Sequence, residues 1–161
     1  MKNMFRKMMR AKQQLSQEEC IEILKNEPRG VLSVIGDDGY PYGMPMNFRY
    51  DSETGNIYFH GGKTGHKIDA INRCDKVSFC VYDKGFRREG EWALNIKSVI
   101  VFGKIRPVEN FEKAMDISRR LSLKYTSDTE YIDKEIAGFG SVTLCLELVP
   151  ECVTGKIVNE A

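Results

Sequence analysis

A chain of 161 residues, 42% of them hydrophobic, can bury one sizeable core and is short for two, so residues 1–161 read as a single domain. Its 24 basic and 23 acidic residues leave a formal net charge of +1, which gives no electrostatic footprint for nucleic acid or an anionic membrane. The apolar runs are too short to span a bilayer and residues 1–12 lack the apolar stretch of a signal peptide, so a soluble, cytoplasmic protein is expected.

Residues 1–12 carry Lys2, Arg6, Lys7, Arg10 and Lys12 with no acid among them, interleaved with methionines and Phe5. Because this charge is local and balanced elsewhere, the stretch is expected to be a basic arm, mobile or draped over a partner, rather than a nucleic-acid binder. Ser16-Gln17-Glu18-Glu19 is a capping box, and Cys20, Ile23 and Leu24 give a short helical stripe that ends near Pro28-Arg29-Gly30. A strand over 31–35 follows, turned by the hairpin chemistry of Asp37-Asp38-Gly39.

Residues 40–50 alternate strictly: Tyr40, Tyr42, Met44, Met46, Phe48 and Tyr50 share one face, and Pro41, Gly43, Pro45, Asn47 and Arg49 the other. That is a strand signal. Its second face is compact and its prolines give no N–H to a ladder, which places it at a sheet edge or bulge. Two explanations stand: main chain left reachable by a flat ligand, or an edge protected against aggregation.

The turn over 52–56 returns the chain to Ile57-Tyr58-Phe59-His60, a strand that stops at a histidine. It passes through Gly61, Gly62 and Gly65 into a helix over 64–73 whose first turn carries His66 and Lys67. Glycines let main-chain N–H groups approach an anion, the helix N-terminus adds unpaired donors, and the cations add charge, so the geometry suits a phosphate. Gly62-Lys63-Thr64 does not end a Walker A loop, since Ile57 stands where that motif needs glycine. A glycine-rich turn with solvated cations is the alternative.

Val77, Phe79 and Val81 mark a fourth strand, residues 84–91 a charged loop, and residues 96–108 a long fifth strand. Phe111, Ala114, Ser118, Leu121 and Tyr125 keep helical spacing over 109–125, and a shorter helix is expected over 127–137. Val142, Leu144, Leu146 and Leu148 alternate in a sixth strand that is expected to break at Pro150 and resume over 153–158. Trp92 is expected to pack in the core at a barrel mouth, and Lys84, Arg87 and Arg88 to sit at a solvated hairpin tip. The cysteines, five in number and without a C-x-x-C pair, read as reduced core residues, and with His60 and His66 the only imidazoles no metal site is expected. Six or more strands joined mainly by hairpins, with three or four helices interposed, give a mainly β chain with helices, built as a small antiparallel barrel. The tight turns at Asp38-Gly39 and Thr54-Gly55 leave no room for the crossover helices of a doubly wound sheet.

The residues Asp37-Asp38-Gly39-Tyr40-Pro41-Tyr42-Gly43-Met44-Pro45-Met46-Asn47-Phe48, Ile57-Tyr58-Phe59-His60-Gly61, Gly65-His66-Lys67 and Val77-Ser78-Phe79-Cys80-Val81 resemble the pyridoxamine 5'-phosphate oxidase-like flavin proteins. Within them the chain is most similar to the NimA-like branch associated with 5-nitroimidazole resistance, over roughly residues 5–105. The resemblance implies a homodimeric split β-barrel with FMN in a cleft at the subunit interface. It implies that Thr64, Gly65, His66 and Lys67 hold the phosphate, that the ring lies against Met44, Pro45, Met46 and Asn47, and that His60, Gly61 and Gly62 line its edge. His60, which can change protonation near neutral pH, is the candidate catalytic residue. The implied function is that of an FMN-dependent oxidoreductase passing electrons from NADH or NADPH to a small acceptor such as a nitro compound. A non-catalytic flavin- or haem-binding protein on the same barrel is the alternative. The chain departs from the oxidase proper where Gly65-His66-Lys67 replaces a Ser-Arg-Lys clamp, and no pyridoxal-phosphate-binding residues are recognisable near the C-terminus. Oxidation of pyridoxamine phosphate is therefore not expected.

Overall fold

The computed structural model describes residues 4–160; Met1, Lys2 and Asn3 of the basic arm, and Ala161, lie outside the described residues. Helix α1 (Gln17–Asn26) opens with both halves of the expected capping box: the Ser16 hydroxyl accepts from the Glu19 N–H and the Glu19 carboxylate from the Ser16 N–H. It buries Cys20, Ile23 and Leu24. Strand β1 (Arg29–Ile35) turns through a 3-10 turn at Asp37–Gly39, where Asp38 and Gly39 have φ of 54° and 77°, the left-handed pair a tight hairpin needs. Strands β2 (Pro41–Asn47), β3 (Arg49–Tyr50) and β4 (Ile57–Gly62), helix α2 (His66–Arg73), and strands β5 (Lys76–Tyr82) and β6 (Leu94–Pro107) follow. Helices α3 (Phe111–Leu123) and α4 (Thr129–Phe139) then cross back to β7 (Thr143–Glu160).

The strands form one antiparallel sheet in the order β2-β1-β5-β6-β7-β4-β3. Its two ends, β2 and β3, are one chain segment interrupted only at Phe48. The sheet therefore curls until a single segment serves both ends, pairing with β1 through Pro41–Asn47 and with β4 through Arg49–Tyr50. This is the expected split β-barrel. Leu32, Val34, Phe48, Phe59, Phe79 and Val101 fill it, with the Phe79 ring edge-on to Phe48 and Phe59 at centroid distances of 4.8 and 5.0 Å. The expected single strand over 40–50 is thus two, because the chain must leave one partner for another at Phe48.

At that interruption the end of α3 supplies what a neighbouring strand would have. The Tyr125 hydroxyl accepts from the Phe48 N–H at 2.9 Å and donates to the Pro28 carbonyl at 2.5 Å. Lys124 Nζ donates to the carbonyls of Phe48 (3.0 Å) and Glu27 (2.7 Å) and lies 3.7 Å from the Phe48 ring centroid. Burial pushes the Lys124 ammonium down to about 8.

A second, smaller apolar cluster, with Tyr58, Ala114, Ile117 and Cys145, joins α3 to the outer side of β4 and β7. Beside it Glu147, only 4% exposed, accepts from Tyr58 Oη (2.9 Å), Asn56 Nδ2 (3.1 Å), Arg106 Nε (2.9 Å) and Lys113 Nζ (3.4 Å). Burial alone would raise this carboxyl, but these four partners together hold it below the ordinary carboxylate value.

Three expectations need correction. Strand β7 does not break at Pro150: Gly103 pairs with Pro150 and Phe102 with Cys152, so one extra residue, Glu151, is absorbed as a bulge. A Cβ on Gly103 would lie 2.3 Å from the Val149 carbonyl oxygen, which is why the strand opposite the bulge carries glycine. Trp92 is not in the core but 74% exposed, because the β5–β6 hairpin carries it past the core-facing residues. Of the cysteines only Cys20 and Cys145 are buried; Cys74, Cys80 and Cys152 are half-buried, and all five are free. The charged tip at Lys84, Arg87 and Arg88 is exposed as expected, and Phe5 of the arm stacks on Phe102 of β6 at 5.8 Å.

Replacing Tyr125 by Phe strands the Phe48 N–H, so the variant should lose about 1–3 kcal/mol of stability in urea unfolding. A loss within experimental error would mean that the closure at Phe48 is held by packing alone.

Candidate functional site

The Gly36 N–H donates to the Tyr40 carbonyl at 2.8 Å, which fixes the parity of the β1–β2 ladder. Tyr42, Met44 and Met46 point their main-chain groups at β1, whereas Pro41, Gly43, Pro45 and Asn47 point theirs at the free edge of β2. The prolines therefore cost the ladder no donor, and the N–H groups of Gly43 and Asn47 face outward with four carbonyls. Met44 and Met46 turn inward and pack against the core. Pro41, Gly43 and Pro45 form a compact, exposed outer face.

Beyond β4 the loop over residues 63–65 leads into α2. Gly65 caps that helix at φ 123° with no side-chain bond, so the first N–H groups of α2 lack a side-chain acceptor. Lys67 is half-buried, and among the described residues no carboxylate pairs with it. Its Nζ lies 3.7 Å from Met46 Sδ, a weak acceptor, and 3.0 Å from where a Cβ on Gly61 would stand. Burial pushes its pKa down. The ammonium thus hangs across the bare main chain of Gly61, between β2 and β4, in a space that a side chain on Gly61 would fill. A phosphate fits these residues: it would supply the counter-charge that Lys67 lacks and accept from the open N–H groups of α2.

His66 is brought elsewhere. Its ring stacks on Tyr42 at 4.2 Å, and its Nε2 accepts from the Asp37 N–H at 3.4 Å, beside an Asp37 carboxylate that Arg73 pairs at 2.8 Å. These contacts fasten α2 to the β1–β2 hairpin. Gly62 at the end of β4 and Thr64 in the loop stay exposed.

His60 emerges on the opposite face of β4 from Gly61. With Asn47 it lines a cavity of about 370 Å³ between the barrel wall and the pair α3 and α4, with Met115, Leu121, Ile132, Ile136 and Phe139 as its apolar side. His60 is exposed to solvent on its outer side, but crowding by the surrounding protein, and secondarily the charge of Lys67, push its imidazole below its ordinary value. Seven of the eleven expected site residues thus fall into two groups, Gly61, Gly62, Thr64, Gly65 and Lys67 around the loop and Asn47 and His60 at the cavity, whereas Met44 and Met46 face the core, Pro45 the outer face of β2 and His66 the hairpin. The helical wall was not recognised in the sequence, because its apolar stripe reads the same whether it covers core or lines a void. Lys63, which donates to the Ser141 carbonyl after α4 and so ties the loop to that wall, carried no sequence signal.

Among the described residues no group of three or more His, Cys, Asp or Glu could hold a metal ion, and no helix is long and apolar enough to cross a membrane.

The pyridoxamine 5'-phosphate oxidase family model matches residues 16–157, from the α1 cap to within β7. The chain belongs to that family. No curated protein sequence matches it. Similar solved structures include a protein from Bacteroides thetaiotaomicron assigned to 5-nitroimidazole antibiotic resistance (19% identity, 91% of this chain and 87% of that one, TM-score 0.76). A conserved hypothetical protein from Mycobacterium tuberculosis is similar at 19% identity over 93% and 90%, with a TM-score of 0.78. An FAD-binding protein from Mycobacterium smegmatis is similar at 21% over 92% and 99%, with a TM-score of 0.66. At these identities the likeness shows a shared fold.

In an NMR pH titration the His60 imidazole should have its midpoint below 6.5, and Lys67→Gln should move it upward by removing a nearby positive charge. A wild-type midpoint at or above 6.5 would break the electrostatic link between the two halves of the site.

Proposed function

We propose that this protein is an FMN-dependent reductase that passes electrons from NADH or NADPH to a small acceptor such as a nitro compound, working as a homodimer with the cofactor at the interface. The observation that carries the reading is Lys67: a half-buried cation without a carboxylate partner, poised over Gly61 beside the uncapped start of α2. Membership of the pyridoxamine 5'-phosphate oxidase family and the FAD-binding fold relative from M. smegmatis support a flavin. One ammonium and one helix terminus suit a single terminal phosphate, which favours FMN.

When bound, the flavin carries the electrons between donor and acceptor. Lys67 and the main chain of Thr64 and Gly65 meet the phosphate. The outward N–H groups of Gly43 and Asn47 and the compact face at Pro45 orient the ring along the β2 edge. The helical cavity, apolar on the α3 and α4 side, offers an apolar surface to a small acceptor, and the His60 imidazole at its border can take up a proton there and, once protonated, give it back. Dimerisation is supported by the outer face of β1, β5, β6 and β7, whose centre carries Val31, Ser33, Cys80, Ile100, Phe102 and Cys152 without a charge while Lys76, Lys104 and Lys156 stand at its margins.

The purified protein should show a flavin absorption spectrum and should oxidise a nicotinamide donor faster when a nitro acceptor is added. A bound flavin without donor oxidation would overturn the reductase and leave a flavin-binding protein.

Lys67→Ala should weaken FMN roughly ten- to hundredfold, the worth of a charge-assisted hydrogen bond, and leave riboflavin nearly unchanged, whereas Asn47→Ala should weaken both. Fold stability should not fall with Lys67, since a cation in a first helical turn opposes the helix dipole. Fluorescence titration of both flavins gives the comparison, and equal losses for the two would mean that the phosphate is held elsewhere.

A further inference from the structure

At the other end of the interrupted strand, where α1, β3 and α3 meet, an open cleft of about 390 Å³ is lined by Lys25, Arg49, Tyr50, Arg120, Leu123 and Lys124. Four of these six are cations and none is an acid, in a chain whose net charge is only +1. They converge from three elements far apart in sequence, so the fold, not a basic run, assembles the charge. The carboxylates that reach them stand outside the lining: Glu22 is 4.0 Å from Lys25 and Asp116 is 2.9 Å from Arg120, all four of these side chains being exposed, and the charge of the half-buried Glu27 acts on Lys124. Lys124 spends two of its three donors on the carbonyls of Glu27 and Phe48. Arg49 is half-buried, and among the described residues no carboxylate pairs with it. Gathering like charges into one concave surface raises the local potential, which a bound anion lowers. Tyr50 and Leu123 add an aromatic and an aliphatic surface to the same cleft.

We propose that this cleft binds a nucleotide, with its phosphates held by the guanidinium forks of Arg49 and Arg120 and its base against Tyr50 and Leu123. Planar guanidinium groups present paired N–H donors that match phosphate oxygens. The site is distinct from the loop at Lys67, with which it shares no residue, and it stands whether or not a flavin binds there. Because Lys124 belongs both to this cleft and to the closure at Phe48, a nucleotide here would rest on the element that seals the barrel.

Calorimetric titration of ADP, inorganic pyrophosphate and adenosine into the full-length protein at low salt tests the assignment. ADP should bind most tightly, pyrophosphate more weakly and adenosine not measurably, and added salt should weaken ADP. Arg49→Gln and Arg120→Gln should each loosen ADP about tenfold or more, and Lys67→Ala should leave it unchanged. Should Arg49→Gln fail to fold, the exposed Arg120 on α3 carries the comparison. Pyrophosphate binding as tightly as ADP would overturn the nucleotide, and ADP affinity that survives both arginine substitutions or is lost in Lys67→Ala would overturn the site.

Discussion

The structure depends on how one strand closes a barrel whose two edges it must both serve. A segment paired to β1 in its first half and to β4 in its second has to change partners, and the residue at the change has no neighbour for its main-chain groups. Here that residue is Phe48, wholly buried in side chain, with its N–H and carbonyl met by Tyr125 and Lys124 from the end of α3. An unpaired buried peptide group costs about as much as a lost hydrogen bond, so the closure needs the helix and the helix is anchored by the closure. The same change of partner frees the outer edge of β2, because the chain beyond Asn47 has turned away to β4. The closure and the reachable main chain of the candidate site are thus two results of one topological step.

Two charged groups of the barrel wall differ in how they are compensated. Glu147 meets four donors, two of them cationic, and its ionised form is favoured despite burial. Its network fixes α3 to the barrel and leaves nothing to offer a ligand. Lys67 is half-buried with a thioether sulfur as its nearest acceptor, and burial lowers its pKa without relief. A charge left in that condition fits a site completed by an anion, and its place beside Gly61 and the open end of α2 gives that anion further donors. The contrast between these two groups, rather than the number of charges, separates scaffold from site.

The fold shared with proteins from B. thetaiotaomicron and the two mycobacteria supplies a barrel on which different chemistries can be carried. What would distinguish this chain lies in its side chains: the Gly65-His66-Lys67 turn, with His66 committed to the hairpin and Lys67 turned to the loop, and the cavity that α3 and α4 build against His60 and Asn47.

By itself the sequence determined the elements whose signals are local. The Ser16 capping box, the left-handed turn at Asp38-Gly39, the compact face of Pro41, Gly43 and Pro45, and the glycines entering α2 each follow from the φ, ψ and hydrogen-bond demands of neighbouring residues, and each stands where the pattern put it. Only the tertiary structure decided what depends on residues distant in sequence. Pro150 marks a bulge and not a strand end because Gly103, forty-odd residues earlier, leaves room opposite it. Trp92 is exposed because no layer covers its hairpin. His60 stands on the other face from Lys67 because side chains alternate across β4 and the Lys67 ammonium reaches from α2 over Gly61, and His66 leaves the loop because Tyr42 and Asp37 come within reach of its ring. Periodicity records which face a residue takes along its own strand or helix. What stands opposite that face is set by sheet curvature and closure, which bring together residues that no local spacing relates.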